Sequence, residues 1–275
     1  MNEIISYFST IPTLHRSLIL AGGVTLFWLI ENAFPLFRFD YKKWQHAGIN
    51  IFMTLTTIIV NFSLAFILLK TSDWTITNNF GVLQWLPQMQ LWLYALIGLL
   101  LLDLIGAYLV HLIEHKVKFL WRFHLIHHTD TWVDTTSGNR HHPGESVIRF
   151  VFTTMGVLIV GSPMWMVFMY QTISVVSTQF THANLSLPKK IDGFLSYFIV
   201  SPNMHKVHHH YKLPYTDSNY GNIFSVWDRL FGTFMYLPKE EIVYGIDTYM
   251  GPEDNNKLNN LLKIPFKNPR SPKNN

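Results

Sequence analysis

Four apolar runs decide what this chain can fold into: Ser17 to Phe37, Ala47 to Leu69, Leu91 to Val110 and Val147 to Phe180. A helix of about 20 apolar residues crosses the roughly 30 Å hydrocarbon core of a bilayer. The expected fold class is therefore all-α, a multi-pass membrane protein with about three spans. The fourth run is too long for one span and is interrupted at Gly161-Ser162-Pro163, where glycine and proline break a helix. It reads as a helical hairpin over 147–181 that enters and leaves on one face. Composition agrees, with 49% hydrophobic and only 14% charged residues, whereas soluble domains carry about 25% charge.

The first fifteen residues lack a basic n-region, a compact apolar core and a small-residue cleavage site, so the first run is expected to stay as an anchor. If the N-terminus starts outside, three spans bring the chain inside at His111, and the hairpin returns it there. Nineteen of the 21 Lys and Arg then lie inside, with only Arg16 and Lys70 outside, as the positive-inside rule requires. The +4 charge and pI of about 9.1 are thereby explained without a nucleic-acid partner. The expected organisation is a single integral membrane domain: a transmembrane anchor over 1–110, a histidine-rich catalytic region over 111–240 that includes the hairpin, and a disordered tail over 251–275. Its Asn, Lys and Pro content suggests the last of these.

Cysteine is absent, which removes disulfides, thiolate metal sites and Cys nucleophiles, so any metal must sit on His, Asp or Glu. Twelve of the fourteen histidines lie between residues 111 and 210. They form His111-x3-His115, His124-x2-His127-His128 and His205-x2-His208-His209, with His182 between them. Positions i and i+3 or i+4 share a helix face, so each pattern aims at least two imidazoles at one point. Eight or nine imidazoles exceed the ligand shell of one ion and imply two metals with positions left for oxygen or substrate. Zinc would suit hydrolysis, whereas a substrate buried in the bilayer and offering only C–H bonds needs iron and oxygen.

In order along the chain, HLIEH at 111–115, HLIHH at 124–128, NRHHPGES at 139–146, QFTHANL at 179–185, HKVHHH at 205–210 and DSNYGNIFSVWDRLFGT at 217–233 make a distinctive set. Over roughly residues 90–236 the sequence resembles the fatty acid hydroxylase superfamily, also called the sterol desaturase family. That resemblance implies a membrane di-iron enzyme, with two Fe ions and O2 as cosubstrate, that hydroxylates or desaturates a lipid such as a sterol, fatty acyl chain or alkyl lipid. Its implied ligands are His111, His115, His124, His127, His128, His182, His205, His208 and His209. Some relatives have a second histidine near the one at 182, where this chain has Ser186 one turn later. Others carry a fused cytochrome b5 domain, absent from this sequence. A separate donor is then implied, cytochrome b5, a ferredoxin or similar with its reductase, and the histidine face is expected to be cytosolic, in a bacterial inner membrane or the endoplasmic reticulum.

Around the ligands, Asp103 lies eight residues before His111, about two helical turns, and is expected to support a ligand imidazole. Arg140 and His142, in NRHHP, are candidates for the same role, as are Asp217 and Asn219. The latter two, with Asp228 and Arg229, are also expected to lock the cap through hydrogen bonds and an Asp-Arg pair. Glu31 is expected to reach the headgroups, and His15 and His46 to sit at the interface. His210 falls off the helical face of its neighbours. The rival readings are a zinc-dependent membrane hydrolase and a histidine-rich metal transporter. A transporter would spread ionisable residues through mid-membrane, and in HLIEH Glu114 sits at the wrong position for a His-Glu-x-x-His hydrolase.

Overall fold

The structure is a computed structural model that describes residues 1–267. A short helix, α1 (Asn2–Ser9), precedes α2 (Thr13–Ala33). The next helix, α3 (Lys43–Thr77), has 35 residues, and at about 1.5 Å per residue it extends beyond a hydrocarbon core. A single turn, α4 (Val82–Trp85), leads to α5 (Leu91–Asp103), which runs through a π-helical turn (Leu104–Leu109) into α6 (Val110–Lys116). Val117, in an extended conformation, separates α6 from α7 (Lys118–His128).

The hairpin consists of α8 (Pro143–Val160) and α9 (Met164–His182). The break falls where glycine and proline predict it. Gly161 adopts φ 71°, and a Cβ there would stand 2.5 Å from the Phe80 carbonyl oxygen, so only glycine fits without displacement. Short helices α10 (Lys189–Leu195), α11 (Pro202–His208) and α12 (Val226–Leu230) form the cap, followed by α13 (Pro252–Asn255) and α14 (Leu258–Lys263). Among the described residues there are no strands, only isolated bridges such as Pro35 with Leu185.

Four helical stretches are long and apolar enough to cross a membrane: Thr13–Ala33, Lys43–Trp85, Leu91–Lys116 and Pro143–Val160. The chain is an all-α integral membrane protein. The second hairpin arm, α9, is not among the four; it carries Gln171, Thr172, Ser174, Thr178 and Gln179. Its polar groups are used inside the protein, where Gln179 donates to the Leu20 carbonyl and Thr178 to Asn222. Large apolar side chains such as Phe62, Phe66 and Leu29 are exposed on the spans. That is the expected distribution for helices solvated by lipid rather than water.

Three apolar clusters are buried among the described residues; the smallest gathers Val133, Val207 and Tyr244, and two larger ones join the helices. One, from α3, α5, α8 and α9, contains Leu68, Leu102, Val157, Met166 and Tyr170. The other packs Ile49 and Met53 of α3 and Leu125 and Ile126 of α7 against Tyr249, Leu261 and Ile264. Disorder from residue 251 onward, expected from composition, is therefore corrected for residues 251–267. These form helices whose Leu261 and Ile264 are fully buried, because apolar side chains at helical spacing outweigh the Asn and Lys between them. Residues 268–275 lie outside the described part.

Candidate metal centre

Four helix segments deliver nine imidazoles to two adjoining points. His111 and His115 of α6, His124 and His128 of α7 and His208 of α11 form one group; His127 of α7, His182 at the end of α9, His205 of α11 and His209 just beyond it form the other. Within each group the candidate ligand atoms lie within 4.8 Å of one another, and all nine residues are buried. On α7 the adjacent His127 and His128 belong to different groups, as do His205 and His208 of α11, so both helices join the two.

Backbone and carboxylate acceptors fix most imidazoles of the five-histidine group. Nδ1 of His111 donates to the Tyr220 carbonyl (2.9 Å), and Nδ1 of His208 to the Ser218 carbonyl (2.7 Å). Nδ1 of His124 donates to Glu145 Oε1 (2.7 Å), and Nδ1 of His115 to Asp217 Oδ1 (3.2 Å). These oxygens only accept, so a neutral ring keeps its proton on Nδ1 and turns the Nε2 lone pair inward. The Nε2 atoms of His111 and His124 stand 3.1 Å apart, while those of His115 and His208 are buried without a partner. In the other group the Nε2 atoms of His182, His205 and His209 make a triangle with sides of 3.0, 3.2 and 3.2 Å.

Burial, with neighbouring imidazoles adding repulsion, holds His124, His127, His128, His205 and His209 well below the ordinary imidazole pKa, and burial beside His115 does the same for His208. Neutral rings whose lone pairs converge repel one another unless a cation lies between them. Nitrogens at about 2.1 Å from one ion and at right angles around it would lie about 3.0 Å apart, close to the separations here. Histidine nitrogens without thiolates suit iron, zinc, copper or nickel. The donor set thus fits a metal site on geometry as well as on residue type.

Around the rings lies a buried charge network that the sequence did not reveal. Glu145 Oε1 accepts from His124, from His141 Nδ1 (2.6 Å) and from Arg149 Nε (3.0 Å), and Arg149 also pairs with Glu114 (2.6 Å). His141 stacks on His127 with ring centroids 4.9 Å apart. Its signal was the i, i+4 spacing to Glu145.

The neighbouring His142, expected to support a ligand, instead caps α8 by accepting from Gly144 N, because Pro143 at the first helical position makes it the N-cap. Asp103 touches no imidazole: its carboxylate accepts from the amides of Ile223 and Phe224. The π turn between Asp103 and His111 changes the helical register on which the two-turn estimate depended. Arg140 is fully buried and donates to the Ile126 and Asn255 carbonyls, holding the end of α7 rather than a ring.

Asp217 does contact a ligand candidate. Burial pushes its carboxyl up, but hydrogen bonds from His115 and Lys116 outweigh that and hold it at about 2. Asn219 bridges Met204 and Met235 backbone groups. The expected Asp-Arg pair is absent: Asp228 accepts from the amides of Tyr220 and Gly221, while Arg229 lies over Phe234 and donates to Ser196. His210 stays out of both groups and accepts from Val243 N.

Two residues assigned to the interface are interior. His46 contacts Asp130 (2.9 Å) and Asp134 (3.3 Å), and Glu31 accepts from the amides of Thr135 and Asn184. His46 braces the 130–140 loop, and Glu31 ties that loop to the exit of α9. His15 is exposed and bonds Tyr7.

Residues 95–233, just over half of the chain, match the family model described as fatty acid hydroxylase. The chain is 27% identical over 157 residues to an ornithine lipid hydroxylase of Rhizobium tropici, covering 56% of this chain and 46% of that protein. It is 26% identical over 211 residues to an alkylglycerol monooxygenase of Danio rerio (75% and 45%), and 33% over 144 residues to a very-long-chain aldehyde decarbonylase of Oryza sativa subsp. indica (51% and 54%). The chain spans about half the length of these curated relatives. No solved structure matches it. The family match encloses all nine paired imidazoles, their carboxylate partners and the loop that fixes His111, and the chain belongs to the fatty acid hydroxylase family.

Proposed function

We propose that this protein is an oxygen-dependent di-iron oxidoreductase that hydroxylates, or desaturates, a C–H bond of a membrane lipid. The observation that carries the reading is the pair of adjoining all-histidine groups, buried at the ends of apolar helices with their lone pairs turned inward. His111, His115, His124, His128 and His208 would hold one iron, and His127, His182, His205 and His209 the other. Together the irons would supply electrons for oxygen activation. Hydroxylation balances as a C–H bond, O2, two electrons and two protons giving an alcohol and water, so a reductant is required; a cytochrome b5, ferredoxin or similar carrier with its reductase fits.

The residues themselves contribute orientation and dryness. Acceptors on Nδ1 keep the rings from rotating and raise their basicity as ligands. Arg149 balances Glu114 and Glu145, so that two buried carboxylates can stand beside the site. The apolar cores exclude water from one side, and the absence of cysteine removes the most oxidisable side chain. Lipids are the substrate class that reaches such a site laterally, and the names of the ornithine lipid and alkylglycerol relatives support it. The charge distribution supports a cytosolic histidine face. Against a zinc hydrolase stands Glu114, whose carboxylate is tied to Arg149 rather than free as a base.

The test is to incubate the reduced, iron-loaded protein with 18O2 and a lipid extract. A lipid product gaining one labelled oxygen, or two hydrogens fewer, supports the proposal. A product that gains only unlabelled oxygen, from water, would indicate hydrolysis and contradict it.

A further inference from the structure

The two histidine groups are not backed equally. In the five-histidine group four imidazoles donate Nδ1 to an acceptor, and for His124 and His115 that acceptor is a carboxylate, Glu145 or Asp217. In the four-histidine group only His182 has such an acceptor, the Thr178 carbonyl at 2.8 Å. The Nδ1 atoms of His127, His205 and His209 are buried with no partner. A metal bound at Nε2 forces the ring proton onto Nδ1. In the first group that proton meets an oxygen already in place on four of five rings, His128 being the exception; in three of four rings of the second it is buried unsatisfied, which opposes binding.

We propose that the two sites differ in affinity: the five-histidine site fills first and holds its metal tightly, with Glu145 and Asp217 as positioning residues, and the four-histidine site is the loose, exchangeable one. This rests on the ligand assignment proposed above. The charge network adds to the asymmetry. Glu145 and Glu114 stand behind His124, with the His124 Nδ1 to Glu114 distance 3.7 Å, whereas among the described residues no carboxylate is paired with a ring of the second group. Extra negative charge behind a ligand imidazole favours a cation on its far side.

The experiment titrates metal-free, full-length protein in detergent with cobalt(II), whose visible absorption is stronger in four-coordinate than in five-coordinate nitrogen sites. Two phases are expected, the weakly absorbing one first, with dissociation constants separated by about tenfold or more. Asp217→Asn, at a half-exposed position, should weaken the first phase by about 10- to 100-fold and leave the second unchanged. His205→Ala should abolish the second phase and preserve the first. A single phase in the wild type, a strongly absorbing first phase, loss of the first phase in His205→Ala, or equal weakening of both phases in Asp217→Asn would overturn the proposal. Stepwise loading with no oxidised lipid would defeat the proposed function and leave the asymmetry standing. Oxidised lipid with simultaneous loading would do the reverse.

Discussion

Among the described residues, Arg149 is the one cation paired with both Glu114 and Glu145, and its removal leaves two carboxylates buried together. Breaking a buried pair in this way costs about 3–5 kcal/mol, so Arg149→Met should lower the thermal midpoint in detergent markedly. An unchanged midpoint would show that the carboxylates are not charged together. A second consequence concerns pH in the metal-free protein. His124, His127, His128, His205, His208 and His209 have folded pKa values below the unfolded value of about 6.5. The folded state then binds fewer protons than the unfolded one, so this contribution is fully present above about pH 6.5 and is lost as pH falls below it. The melting temperature of metal-free protein should drop between about pH 7 and pH 5; a flat profile would contradict neutral rings. At this scale the boxes were legible because i, i+3 and i, i+4 spacing fixes a helix face. Their sorting into two groups was not, because His208 and His205 meet the earlier boxes only through tertiary packing. A support role was expected of His142, but Pro143 after it makes it the cap of α8, and His141 joins the network instead.

At the scale of elements, the C-terminal helices and the hairpin carry the clearest consequences. Leu261, fully buried against Ile49, Leu125 and Ile126, should lose about 2–5 kcal/mol on Leu261→Ala. Deleting residues 251–275 should do more, because it also removes the Asn255 carbonyl that Arg140 uses to hold the end of α7. Retained stability of that truncation, read by thermal unfolding, would show that this segment is only an appendage. Apolar residues at 258, 261, 262 and 264 marked these helices in the sequence, but the Asn-rich composition around them obscured the period. The break at Gly161 was legible, since glycine and proline act locally. The π turn at 104–109 was not, and the face assigned to Asp103 was misplaced with it.

For the molecule as a whole, the absence of cysteine makes topology unusually accessible to experiment. Single cysteines at Lys42, Lys70 and Lys118 can be labelled with a membrane-impermeant reagent on an otherwise unreactive chain. The positive-inside reading predicts Lys42 and Lys118 on one side and Lys70 on the other; Lys42 opposite Lys118 would overturn the proposed face for the histidines. The all-helical class and the long apolar spans were legible because apolar length is a global property of the sequence. The interior cores and the loop braced by His46 and Glu31 were not, since they depend on which spans pack together. The central claim is that both histidine groups hold iron. Its most direct test is the metal content of the detergent-purified protein after anaerobic loading with ferrous iron and removal of free metal. The account predicts two irons per chain when free metal is removed quickly, the second lost first on longer washing, and one in His205→Ala. A single zinc that iron does not displace, or no retained metal, would contradict it.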